Sequence, residues 1–348
     1  MFLPSCGPVG EGEKQPSKAK NVILLIGDGM GLSQVSSRYY YGEGEPNFSR
    51  FKHVSLIRTS SSKQKITDSA AGATAYACGK KTYNGAIAVD DDTTAIPTLV
   101  ERVSPRGIAT GLLATSSITH ATPASFYAHV YSRNEEEVIA EYLVRSEVDF
   151  FAGGGVEFFA ERKDGLNYLD SLRAYGFGVE TSGLKPVEGK PAYLLADDGM
   201  PTMLEDRGDF LPKATEMALE KLSQNEEGFF LMVEGSQIDW GGHANDGEYL
   251  VNEVIDFDKA IGKALDFAEK EGNTLVVVTA DHECGGFSLI AGKRGEIPDY
   301  RLLDYGFSTG GHSASMVPVF AFGPGAEEFQ GIYENIGIHE RILKATDW

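Results

Sequence analysis

Apolar residues along this chain gather in short unbroken runs separated by amphipathic stretches, and that rhythm predicts the fold. Residues 22–26, 108–114, 148–151, 229–233, 275–278 and 317–322 are rich in Val, Ile, Leu and Phe. They do not alternate with polar residues, which is how buried parallel strands read. Between them, residues 96–103, 135–145, 211–224 and 247–271 repeat apolar positions at helical spacing. The last puts Leu250, Val254, Phe257, Ile261, Leu265 and Ala268 on one face. Strands alternating with helices predict one α/β domain over residues 21–348, a three-layer sandwich with a central, mostly parallel β-sheet and helices on both faces. Residues 153–210, with many Gly and Asp and weaker periodicity, read as an irregular peripheral region. Residues 1–20 are polar and rich in Gly, Pro, Ser and Lys, and read as a disordered leader or signal remnant.

Carboxylates and histidines collect where the apolar runs end. Asp28 follows 22–26 within Ile26-Gly27-Asp28-Gly29-Met30-Gly31; Asp239 and His243 follow 229–233; Asp281 and His282 follow 275–278. Ligands of parallel α/β sheets bind outside the carboxyl ends of the strands, so three separated segments aim polar groups at one side. His312 lies in a Gly310-Gly311-His312-Ser313 loop where packing gives it no reason to be. Such carboxylate–imidazole sets suit zinc-like ions. Each also has a plain alternative: a tight turn for Asp28, a helix cap for Asp281, a chance i, i+4 pair for Asp239 and His243. Together they hold ligands for two ions, and coincidence explains the set poorly.

Asp68 and Ser69 open a small-residue helix, Ser69-Ala70-Ala71-Gly72-Ala73-Thr74-Ala75. Either is an ordinary N-cap. A catalytic Ser69 needs a base or metal to lower its pKa, and no G-x-S-x-G elbow surrounds it, so metal activation is the coherent route. Arg133 alone reads as a surface ion pair, although guanidinium is also the bidentate partner of a phosphoryl group.

A net charge of −20 excludes a basic nucleic-acid-binding face. It also repels anionic substrates at long range, leaving metal ions and arginine to overcome that locally. No apolar stretch reaches the length of a transmembrane helix. Cys6, Cys78 and Cys284 imply no disulfide framework. Cys78 reads as packing and Cys284 as a small residue in a Gly-rich turn. Leu3-Pro4-Ser5-Cys6-Gly7 has the form of a lipoprotein cleavage site without the preceding apolar region, so export with a lipid anchor at Cys6 stands level with coincidence.

In order along the chain, I-G-D-G-M-G around Asp28, T-D-S-A-A-G-A-T-A around Ser69, H-A-T-P-A around Thr122 and the S-R of Arg133 resemble the motifs of the alkaline phosphatases. V-E-G-S-Q-I-D-W-G-G-H from Glu234 to His243, T-A-D-H-E at Asp281 and His282, and G-G-H-S-A at His312 continue the match. It spans about residues 20–348 and is most similar to the compact bacterial members, cold-active ones included. The resemblance implies two zinc ions and one magnesium ion. Asp239, His243 and His312 would hold one zinc; Asp28, Asp281 and His282 the other; Asp28, Thr122 and Glu234 the magnesium. It further implies phosphate monoester hydrolysis of broad specificity through a phosphoserine at Ser69, with Arg133 gripping phosphate, in a homodimer that is periplasmic or secreted. His120 and Trp240 occupy positions where some members carry a carboxylate and a lysine, beside the third ion and the phosphate. That substitution bears on the identity and affinity of the third metal. A phosphodiesterase or sulfatase-like hydrolase on the same two-metal core is the competing enzyme reading, and an acidic metal-binding or adhesion protein the non-enzymatic one.

Overall fold

The computed structural model describes residues 18–292 and 297–348, so most of the segment read as a leader, Cys6 included, lies outside the described residues. Ten strands form one sheet: β1 (Asn21–Gly27), β2 (His53–Arg58), β3 (Ala109–Ser117), β4 (Phe150–Gly154), β5 (Phe177–Glu180), β6 (Lys190–Leu194), β7 (Phe229–Gly235), β8 (Thr274–Thr279), β9 (Val317–Phe322) and β10 (Ile332–Glu334). Their spatial order is β10-β2-β9-β8-β1-β7-β3-β4-β6-β5. All neighbours are parallel except at β9, which runs antiparallel to both β2 and β8. The apolar run at 317–322 had predicted one more parallel strand. The difference arises because the chain that leaves the carboxyl end of β8 does not cross back to the other end of the sheet before this strand. It then re-enters the sheet from that side, a return that needs no crossover helix.

The central strands β1, β7 and β8 are buried throughout. They have no polar alternation because both faces are covered. Phe229 packs on Phe267 of the Gly247–Glu271 helix, at 5.7 Å between ring centroids, while its neighbour Phe230 meets Phe126 on the opposite face at 5.7 Å. Asp246 caps that long helix through the Tyr249 amide, and Gly272, in the left-handed region, ends it. The helix expected over 96–103 begins only at Leu99, because Thr98 and Glu101 form a capping box that sets its start. Within residues 153–210, the short strands β5 and β6 extend the sheet at one edge. Among the described residues no helix is long and apolar enough to cross a membrane.

Strand register assembles the site. Ile26 pairs with Glu234 on one side and Thr279 on the other, and Ala114 also pairs with Glu234. Asp28, Glu234 and Asp281 therefore emerge at one level, with the turn carrying His120 and Thr122 following β3. The Gln237–Ala244 helix, which holds Asp239 and His243, presses closely on the long helix: a Cβ on Gly241 would stand 2.7 Å from the Leu250 backbone. We expect Gly241→Ala to destabilise the metal-free protein by about 1–3 kcal/mol through this overpacking. Denaturant unfolding checks it, and an unchanged midpoint contradicts the close approach.

Candidate active site

Ser69 is the first residue of the buried Ser69–Cys78 helix, and Asp68 is its N-cap, accepting from the Ala71 amide at 3.0 Å. The capping role thus falls to Asp68, and the Ser69 hydroxyl sits at the positive end of the helix. A Cβ on Gly72 would come 3.0 Å from Asp281 Cβ, so small residues let this helix lie against the metal-ligand loop. The second Asp68 oxygen accepts from the Gly85 amide at 2.9 Å and from Arg133 Nη1 at 3.2 Å. Arg133 Nη2 meets His120 Nε2 at 2.9 Å. Arg133 is therefore tied to the residue preceding the serine, a connection that sequence reading missed. Its only sequence signal was an acidic N-cap directly before Ser69.

Ser69 Oγ lies 3.3 Å from His282 Nε2. The same nitrogen is 3.4 Å from Asp28 Oδ1 and 3.2 Å from Asp281 Oδ2. In a second group, His243 Nε2 is 3.4 Å from Asp239 Oδ2, His312 Nε2 is 3.5 Å from Asp239 Oδ1, and the two Nε2 atoms are 3.1 Å apart. Their Nδ1 atoms face the carbonyls of Gly310 and Thr67 at 2.8 and 2.9 Å. A carbonyl only accepts, so in the neutral imidazoles Nδ1 carries the proton and Nε2 a lone pair. Two lone pairs and a carboxylate facing one point repel one another unless a cation lies between them. The His282 and His312 rings stack at 3.5 Å, joining the two groups.

Acceptors outnumber donors here. Both oxygens of Asp28, one each of Glu234, Asp239 and Asp281, the Thr122 hydroxyl and Nδ1 of His120 and His282 are buried with no hydrogen-bond partner among the described residues. Such orphans are rare in folded proteins, and their concentration marks places for cations. Three sets of potential ligand atoms lie within 4.8 Å of one another: Asp239, His243, Cys284 and His312; Asp28, Asp239 and His282; and Asp28, His120 and Glu234. The first contains a complete expected trio and adds Cys284, read from sequence as a small residue in a Gly-rich turn. In the second, Asp239 stands where Asp281 was expected, although Asp281 remains beside His282. In the third, His120 joins Asp28 and Glu234, and Thr122 follows two residues later in the short Ala121–Ala124 helix.

Burial, reinforced by the charges of Asp281, Asp239 and Glu234, holds the Asp28 carboxyl well above the usual range. Burial likewise raises Glu234 to about 8 and Asp281 to about 6. Burial, with the Arg133 guanidinium nearby, pushes His282 far down and His120 to about 3, so both imidazoles are neutral. Trp240 stands edge-on to His120 with centroids 6.1 Å apart. Its indole covers Gly199, where a Cβ would be only 2.5 Å away. Residues 153–210 thus come close to the site at Gly199.

A family model for alkaline phosphatases matches residues 19–298. The chain belongs to the alkaline phosphatase family. It is 35% identical to alkaline phosphatase 3 of Bacillus subtilis (strain 168), across 98% of this chain and 93% of that one. The solved alkaline phosphatase from the Antarctic bacterium TAB5 is 54% identical, with a TM-score of 0.94 and coverage of 96% of this chain and 99% of its own. A cold-active alkaline phosphatase from Shewanella sp. is 30% identical, with a TM-score of 0.84 and coverage of 93% and 99%. Metal-dependent hydrolysis of phosphate monoesters is the reaction of this alkaline phosphatase, and a phosphoserine mechanism is characteristic of its family.

The raised carboxyls make metal-free alkaline phosphatase pH-sensitive in a definite direction. A group whose folded pKa exceeds its unfolded value favours the fold while protonated, and that stability is lost as pH rises. For Glu234 the window runs from its ordinary 4.5 to about 8. We expect the unfolding temperature of the metal-free protein to fall across this window, and added zinc to restore it with release of protons. Calorimetry against pH checks both, and a metal-free midpoint that rises instead contradicts the assignment.

Proposed function

We propose that Ser69 is the nucleophile of this phosphomonoesterase, that Arg133 holds the phosphoryl group, and that two zinc ions and one magnesium ion complete the site. The observation that carries this reading is the single His282 nitrogen within 3.4 Å of Ser69, Asp28 and Asp281, where nucleophile and cation ligands meet at one point. Asp239, His243 and His312 would hold one zinc and Asp28, Asp281 and His282 the other, both mixed nitrogen and oxygen sets. Asp28, Thr122 and Glu234 form a hard-oxygen set suited to magnesium, with Asp28 shared. When bound, the ions supply Lewis acidity that lowers the pKa of a hydroxyl or water and stabilises a departing oxygen.

The chain's own groups do the rest. Arg133 offers its fork to two non-bridging phosphoryl oxygens. Ser69 Oγ forms a bond to phosphorus as the ester oxygen leaves as the alcohol. Water then cleaves the Oγ–P bond, releasing inorganic phosphate and restoring the serine. These groups grip little of the substrate beyond phosphate, which supports broad monoester specificity. The family resemblance further supports one catalytic domain over residues 21–348, working as a homodimer in the periplasm or medium.

We expect Ser69→Ala to lower turnover of p-nitrophenyl phosphate at least ~1000-fold in a folded protein. Chelation should abolish activity, and zinc plus magnesium should restore it. Full activity in the alanine variant removes Ser69 from the mechanism, and faster hydrolysis of bis(p-nitrophenyl) phosphate favours a diesterase. His120 and Trp240 flank the third ion and the phosphate. Two variants of the TAB5 enzyme, with a histidine replaced by aspartate or glutamate, are described with magnesium bound in a site called M3. His120 is the histidine grouped here with Asp28 and Glu234. His120→Asp is therefore expected to tighten magnesium by about tenfold or more, read by equilibrium dialysis. Equal retention counts against His120 as a neighbour of that ion.

A further inference from the structure

Alongside the stacked histidines lies a hydrogen-bonded strut that none of the three proposed ion sites uses. Glu283, next to His282, is 5% exposed. Its Oε1 accepts from Gln34 Nε2 at 2.9 Å and from the Phe287 amide at 3.0 Å, while Oε2 accepts from the Ser313 hydroxyl. Gln34 belongs to the Leu32–Tyr41 helix, which opens just after the Asp28 turn, and it also donates to the Cys284 carbonyl at 2.9 Å. A Cβ on Gly31 would stand 2.4 Å from Glu283 Cγ, so a glycine there makes room for the strut. Ser313 follows His312, and the two short strands pair Ser313 with Glu283 and His312 with Cys284. Segments bearing Asp28, His282 and His312 thus converge on one carboxylate.

We propose that Glu283 is a positioning residue. Through Gln34 and Ser313 it fixes the His282 and His312 rings relative to each other, and so sets the affinity and spacing of the two zinc positions. A two-residue ladder is too short to hold register by itself, and His312 follows two glycines that allow its loop to pivot. The Ser313–Glu283 hydrogen bond removes that freedom. This inference rests on the reading of Asp239, His243 and His312 as zinc ligands.

The test measures zinc affinity of the full metal-free chain by competition with a chromophoric chelator, together with the visible spectrum after cobalt(II) substitution. Wild type, Ser313→Ala and Ser313→Thr are compared. The alanine variant is expected to lose about 10- to 100-fold in affinity for one zinc and to alter the cobalt spectrum, while threonine, which keeps the hydroxyl, retains both. Glu283→Gln provides a second variant, expected to weaken zinc in the same direction. A purely structural role lowers the metal-free unfolding midpoint and leaves zinc affinity and cobalt spectrum unchanged, and that result overturns the proposal. Wild-type protein that binds no zinc instead refutes the ligand reading and takes the inference with it.

Discussion

Uncompensated negative charge at the carboxyl ends of adjacent parallel strands is the constraint on which this architecture turns. Asp28, Glu234 and Asp281 are fully buried and brought to one level by strand register. Carboxylates so close in a medium of low dielectric cannot all ionise without counter-charge. Arg133, the nearby cation, is already engaged by Asp68 and by a neutral imidazole. Cations are therefore structural partners as well as catalytic ones, and metal binding and folding stability are linked. The oriented imidazoles, the small-residue serine helix and the glycines beneath the ligand loops all serve that concentration of charge.

The same constraint reconciles an acidic protein with an anionic substrate. Repulsion from a surface of net charge −20 acts at long range and is screened by salt. Attraction at the site acts over a few ångströms, where bound cations and one guanidinium dominate. The neutral His120 adds no charge beside Arg133, so on the proposed reading phosphate would be held by few permanent charges.

Much of this was legible in the sequence because buried strands and metal ligands follow strict chemical rules. Unbroken apolar runs located the six main strands, and the polar residues directly after three of them located the site. The short strands β5, β6 and β10, at or next to the sheet edges, escaped notice because they are only three to five residues long. The direction of β9 is a property of how the chain returns, and its composition is the same either way. Asp68 could be read as a cap, but its hold on Arg133 joins residues 65 positions apart. Cys284 was placed as a turn residue, and only tertiary packing brings it among Asp239, His243 and His312. Local chemistry was readable, whereas particular distant contacts, such as Asp68 with Arg133, were not.

The antiparallel entry of β9 also has a meaning for how the molecule is made. Because the chain crosses the ligand loops once more before that strand, His312 is contributed 284 residues after Asp28. The site is thus a long-range closure of high contact order. During synthesis, the serine helix and most carboxylates emerge from the ribosome well before the imidazole that completes the Asp239–His243 group. Until then the growing chain carries an incomplete cation trap, and the finished trap exists only once segments as distant as those of Asp28 and His312 have come together.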